Sequence, residues 1–184
     1  MKQLFKTGKI KREVFSISYK PGNTFYSKIL FGGVNLQALA KSGHTPTYHK
    51  AKPSHSSWTL KLEQFGTADA EALVQKYSAD NLTFSDFVFD TGVDGLHVNY
   101  NHKTLVEFHL AASTGVSWDL SKPETPKKCT ASHWQKFPDI YFKFDGHRYW
   151  ISRDLVFNRR GVWCTTNLFT TGSPHWAAGL TWFQ

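Results

Sequence analysis

The sequence predicts an α+β or mainly β fold, with antiparallel sheets and one or two helices in a single compact domain over 1–184. Three observations lead there. Apolar and polar residues alternate at period two along much of the chain. Turn dipeptides such as Asp145-Gly146 separate the alternating runs. The 184 residues, 40% hydrophobic and 16% aromatic, suffice for one substantial core and contain no long polar linker.

Along the chain, residues 13–20 set Phe15, Ile17 and Tyr19 opposite Val14, Ser16 and Ser18, and "KPGN" ends this first strand. Residues 25–31 form a second strand, stopped by Gly32 and Gly33. "GGVNLQALAKSG" reads as a short helix closed by Gly43, and the stretch after it, with His44, His49 and His55, as an exposed loop. "SWTLKLEQF" alternates again, with Trp58, Leu60 and Leu62 on one side. The clearest helix is 67–80: Asp69 and Glu71 suit the positive end of its dipole, and Ala70, Leu73, Val74 and Tyr77 share one face. Beyond it, "LTFSDFVFD", a hairpin over 94–110, "GVSWD", "DIYFKFDGHRYWIS", "DLVFNRRGVWCTTNLF" and "AAGLTWF" read as strands or hairpins. A short helix fits "TASHWQKF", and 121–130 is expected to be a long surface loop.

The charge balance of 22 Lys+Arg against 14 Asp+Glu, with a pI near 9.5, favours an acidic partner. Residues 1–12 read as a basic arm carrying Lys9, Lys11 and Arg12, and a second basic region runs from Lys122 to Arg160. Thirteen of the 29 aromatic residues fall in 133–184, several interleaved with cations. That combination suits nucleic acid, with Arg148, Arg153, Arg159 and Arg160 on phosphates and Trp150 and Trp163 stacking on bases. Most of the other rings are expected in the core. A mean hydropathy of -0.41 and the lack of a long apolar run argue against a membrane span. The basic N-terminus lacks the apolar stretch of a secretory signal, so residence in the cytoplasm is expected. Cys129 and Cys164, without CxxC spacing, read as two free thiols. No Walker loop, dinucleotide fingerprint, GxSxG elbow or catalytic Cys-His arrangement is present, which disfavours a nucleotide triphosphatase or a common hydrolase.

The stretch "DGLHVNYNHKTLVEFHL", Asp94 to Leu110, holds the densest group of reactive side chains. As a hairpin with a two- or four-residue loop, it brings Lys103, Glu107 and His109 to one face and leaves His97 on the other. With Glu71 before it and acids at Asp90 and Asp94, the order of elements resembles the core of the restriction-endonuclease-like nucleases. That resemblance covers about 67–112. It implies Asp94 or Asp90 with Glu107 as ligands to Mg²⁺ or Mn²⁺, activating a water against a phosphodiester. The lysine position of the family's Glu-x-Lys is occupied here by His109, which would act as base.

The expected function is therefore action on DNA or RNA, with metal-dependent endonucleolytic cleavage as the sharpest form. The alternatives are a noncatalytic nucleic-acid-binding or structural protein of phage or viral type, and a β module that binds carbohydrate or protein. A metal-free two-histidine phosphoesterase would use His55 and His102 from "HSS" and "HKT".

Overall fold

The structure, a computed structural model, describes residues 2–18, 28–41, 43, 45–52, 58–68, 86–170 and 172–179. Its architecture is α+β, with mostly antiparallel sheets and few helices, as the alternation predicted. The chain divides into two compact units, Met1–Tyr48 with Phe183–Gln184, and His49–Trp182.

In the first unit, helix α1 (Lys2–Lys6) opens the expected basic arm. Strands β1 (Phe15–Ser18) and β2 (Lys28–Phe31) pair antiparallel, Phe15 opposite Phe31, within the two segments where strands were predicted. The "KPGN" turn lies outside the described residues. Helix α2 (Leu36–Lys41) follows as expected.

The second unit holds the main core. The predicted strand "SWTLKLEQF" is two strands, β3 (Trp58–Lys61) and β4 (Gln64–Thr67), which enter different sheets. Thr67, the expected first residue of a helix, ends β4, and the remainder of that helix from 69 to 80 lies outside the described residues. Next come β5 (Asp86–Phe89), β6 (Leu96–His97), a 3-10 turn (Tyr100–His102) and α3 (Lys103–Thr114). Then follow β7 (Lys127–Lys128), α4 (Ala131–Gln135), β8 (Ile140–Phe144), β9 (His147–Ile151) and α5 (Arg153–Val156). The last elements are β10 (Phe157–Arg160), β11 (Trp163–Thr166), β12 (Leu168–Phe169) and β13 (Trp176–Ala178).

A five-stranded sheet runs β12-β6-β13-β5-β3, and β4-β8-β9 and β10-β11-β7 form two smaller sheets. Phe87 of β5 meets Phe142 and Phe144 of β8, each at 5.0 Å between ring centres, and Trp176 of β13 meets Phe65 of β4 at 5.4 Å. The core therefore joins the five-stranded sheet to β4-β8-β9 through aromatic rings, as expected for many of the C-terminal aromatics. The Asp145-Gly146 hairpin is also as predicted: both residues have positive φ (47° and 81°), the requirement of a tight two-residue turn, and Phe144 pairs with His147.

Three local expectations are corrected. "GVSWD" contains no strand; its Trp118 is buried and donates its indole N–H to Thr114 Oγ1 at 3.0 Å. The two cysteines are bonded to each other: register places Cys164 of β11 opposite Lys127 of β7, and the Cα atoms of Cys129 and Cys164 are 5.8 Å apart, within disulfide range. The hairpin over 94–110 is strand, turn and helix. Val106, Leu110 and Thr114 repeat every fourth residue and are buried with His109, whereas Phe108, which a strand would put on the same face as Val106 and Leu110, is 54% exposed. Gly115, at φ 69°, ends this helix and returns its N–H to Ala111 O. Among the described residues, no helix is long and apolar enough to cross a membrane.

Candidate active site

One acid of the second unit, Asp90, is anchored by backbone bonds at both its amide and its carboxylate. It follows the apolar run Phe87-Val88-Phe89, which favours a buried extended strand. That strand, β5, pairs antiparallel with β3 and parallel with β13, with Phe89 between Trp58 and Ala178. The Asp90 amide then donates to Ala178 O at 2.9 Å, extending the pairing onto the acid itself. Its Oδ1 accepts the Gly92 N–H at 2.8 Å, closing an Asx turn, and the Val93 N–H returns to Asp90 O at 3.3 Å. A side chain at Gly92 would put its Cβ 3.1 Å from that same carboxylate oxygen, so glycine keeps the acid accessible to its own turn.

The turn is locked from the far end of the unit. β13 lies between β5 and β6, so the chain leaves β5, turns at Asp90 and returns on the other side of β13. Gly179, just after β13, crosses so close under the turn that a Cβ there would lie 1.8 Å from Val93 O. Its N–H donates to Gly95 O at 2.9 Å. An acid held by backbone bonds on interlocked strands keeps its orientation without a neighbouring cation, which is the preorganisation that catalysis requires.

Two histidines adjoin β13, His97 opposite Ala177 and His102 bonded to Trp176. His97 in β6 lies against Phe169 at 4.0 Å between ring centres, and its Nε2 is buried without a hydrogen-bond partner. Burial lowers its pKa, opposed by a hydrogen bond to the Asp94 backbone and by the Asp90 charge. His102 is 4% exposed and its Nδ1 accepts the Trp176 indole N–H at 3.0 Å; burial pushes its imidazole below the ordinary histidine range.

The sequence-predicted groups are arranged otherwise than expected. Lys103 and Glu107 do meet, at 2.7 Å, but as an i,i+4 pair on α3. Glu107 also accepts the Leu120 N–H at 2.7 Å, so its carboxylate clamps a loop to the helix. Lys103 further reaches Asp119 at 3.3 Å; its pKa is raised, first by the hydrogen bond to Glu107. The carboxyl of Asp119 is held below the usual range, first by the Ser121 N–H and then by Lys103. His109 does not join that pair. It sits on the buried side of α3, its Nε2 3.3 Å from Thr67 Oγ1, and burial lowers its pKa. Asp90 and Asp94 lie in the turn after β5, and among the described residues no three His, Cys, Asp or Glu are placed to hold a metal ion.

Of the histidines in the expected loop, His44 and His55, the latter one of the two-histidine pair, lie outside the described residues, and His49 bonds Asp145 at 2.9 Å and the Tyr149 hydroxyl. Lys9, Lys11 and Arg12 are exposed in the first unit. Arg148 lies over the Tyr141 ring at 4.7 Å, and Trp150 packs on that ring at 4.9 Å. Arg153 covers Trp134 at 5.7 Å and pairs with Asp154 at 3.7 Å. Arg159 bonds Gly161 O at 3.0 Å, and Arg160 is opposite Trp163 across the β10-β11 hairpin. Sequence reasoning included Asp90 only as a metal ligand. The signal for its present role was Asp90-Thr91-Gly92 directly after an apolar strand, an acid placed to bond the amide two residues on.

Comparison with known proteins agrees with an acid-centred site. The family model described as "Asp: Eukaryotic aspartyl protease" matches residues 1–183. No curated protein matches the chain significantly. Among solved structures, the aspartic proteinase from Irpex lacteus superposes with a TM-score of 0.68 at 13% identity, over 98% of this chain and 54% of that one. The chain thus spans about half the length of that proteinase, and the likeness shows a shared fold.

These findings overturn the nuclease reading, its likeness to restriction-endonuclease-like enzymes, and the nucleic-acid-binding and phage or viral descriptions. They also overturn nucleic acid as the expected partner. The expected Mg²⁺ or Mn²⁺ falls as well, because aspartic proteases work through two aspartates that share a proton. The physical sources of the error are the helix read as a hairpin and Glu107, whose carboxylate is engaged by Lys103 and Leu120. The chain belongs to the eukaryotic aspartyl protease family.

Proposed function

We propose that this chain supplies one of the two carboxylates of a peptide-hydrolysing site, and that Asp90 is that carboxylate. The observation that carries the reading is the double anchoring of Asp90, by its amide on Ala178 and by its carboxylate on the Gly92 N–H, in a chain of the aspartyl protease family. Two aspartates at close range cannot both ionise, so one holds a proton and the other is a base. The ionised carboxylate takes a proton from water as the water oxygen bonds to the peptide carbonyl carbon, and the protonated partner gives its proton to the carbonyl oxygen. The C–N bond then breaks as a proton passes to the leaving nitrogen.

The second carboxylate is assigned to a further lobe or chain, consistent with the greater length of the matched proteinase. The substrate class is a peptide in extended conformation. The Cys129–Cys164 disulfide supports maturation in an oxidising compartment in place of the cytoplasmic expectation. The test is digestion of a defined peptide mixture by the protein, with and without EDTA, read by mass spectrometry. Cleavage at peptide bonds that is insensitive to EDTA supports the reading; its absence under all conditions from pH 3 to 8, roughly the range over which carboxyl and imidazole groups titrate, both from the chain alone and from a longer protein that joins it to the lobe carrying the second carboxylate, refutes it.

A further inference from the structure

We infer that His102 is a positioning residue for Asp90, acting through Trp176, and that it must be neutral to do so. The inference rests on Asp90 being the reacting acid.

An indole N–H only donates, so the 3.0 Å bond from Trp176 Nε1 fixes His102 Nδ1 as acceptor and places the ring proton of the neutral form on Nε2. Both partners are buried, Trp176 at 0% and His102 at 4% exposure, so the bond is not exchanged cheaply for water. Trp176 is the first residue of β13 and lies opposite Phe87 of β5. Two residues later, Ala178 accepts the Asp90 amide, and Gly179 passes beneath Val93. The His102 ring therefore fixes one end of the short strand whose other end holds the acid. Asn99, at the start of the same 3-10 turn, donates to Pro174 O at 2.5 Å, a second tie between the turn and the segment entering β13.

Protonation at Nδ1 removes the acceptor and sets two N–H groups against each other. Among the described residues, the charged groups on the surrounding elements are Lys103 with Glu107 and Asp119, which pair with it, Lys143 with Glu63, Asp86 with Lys52, and Asp90 itself. Among the described residues, the titratable rings on these elements are His97 on β6, His175 before β13 and His109 on α3, the last against Phe65, which packs on Trp176. Burial is the cause that keeps His102 neutral, and it places the loss of the bond on the acid side of the ordinary histidine pKa.

The experiment follows three NMR signals of the full chain against pH: the His102 ring, the Trp176 indole N–H and the exchange protection of the Asp90 amide. All three should change with one midpoint, and Asp90 exchange, corrected for its intrinsic pH dependence, should accelerate roughly tenfold on the acid side. In His102→Gln, whose side-chain oxygen accepts at every pH, the indole signal should stay in its bonded position and the Asp90 step should vanish. Asp90 protection unchanged across the His102 midpoint, or a step that persists in His102→Gln, overturns the inference. Should the variant fail to fold, the wild-type titration alone decides, because non-coincident midpoints are already contradictory. None of these readouts needs peptidase activity, so the coupling is tested apart from the proposed function, and coincident midpoints in a protein that cleaves nothing would leave it standing.

Discussion

The backbone amide of Asp90 donates to the carbonyl of Ala178, and the residue after Ala178 is a glycine that crosses directly beneath Val93. An acid early in the second unit is thus fixed by a strand near its end, and neither element has its present meaning without the other. Because β13 separates β5 from β6, displacement of β13 disturbs both sides of the turn at once.

Gly179→Ala tests this crossing. The added methyl carbon would fall 1.8 Å from Val93 O, a backbone atom that cannot rotate away. The variant should lose about 3 kcal/mol or more of stability, at the upper end of overpacking costs. Urea denaturation of the variant beside wild type measures it, and a loss under about 1 kcal/mol would mean that β13 and the turn are not interlocked.

Acidification should weaken the second unit. His97, His102 and His109 all have lowered folded-state pKa values, chiefly through burial. A group depressed in the folded state contributes stability above its unfolded pKa, near 6.5, and loses that contribution as pH falls through the folded value. Unfolding free energy measured from pH 8 downward should therefore fall below about pH 6.5, and replacing His102 by Gln should flatten part of the slope. A stability that rises on acidification in that window contradicts these environments.

The Cys129–Cys164 bond closes a loop with a sequence separation of 35 and ties β11 to the end of β7. Reduction, or Cys129→Ser with Cys164→Ser, should cost roughly 2–4 kcal/mol. Chemical denaturation with and without reductant reads this directly.

Glu107→Gln should have a small effect, because the Lys103 pair is partly exposed and the Leu120 N–H can still bond an amide oxygen. A loss of about 0.5–1 kcal/mol is expected from thermal denaturation. A much larger loss would place Glu107 among the residues that hold the core together.

Much of the architecture was legible before the structure. The Asp145-Gly146 hairpin follows from turn chemistry between alternating aromatics, and β1, β2, α2 and α4 fall where local pattern places them. "TLVEFHL" misleads because an almost continuous apolar run satisfies period two and period 3.6 alike; the decision lies in the following "AAST" and Gly115, which continue and end a helix. The pairing of Cys129 with Cys164 depends on β7 lying beside β11, a contact that residue spacing does not contain. Asp90 was visible as an acid, but its anchoring depends on Ala178 and Gly179, far along the chain, so local reading favoured the denser polar cluster at 94–110.

The most direct test of the account compares peptide cleavage by wild type, Asp90→Asn, Asp94→Asn and Glu107→Gln at matched concentration. Asp90→Asn alone should lose activity, by roughly 10²- to 10⁴-fold as for removal of a general base, with the fold preserved. Cleavage by Asp90→Asn at the wild-type rate, or an equal loss in Glu107→Gln, would contradict Asp90 as the reacting acid.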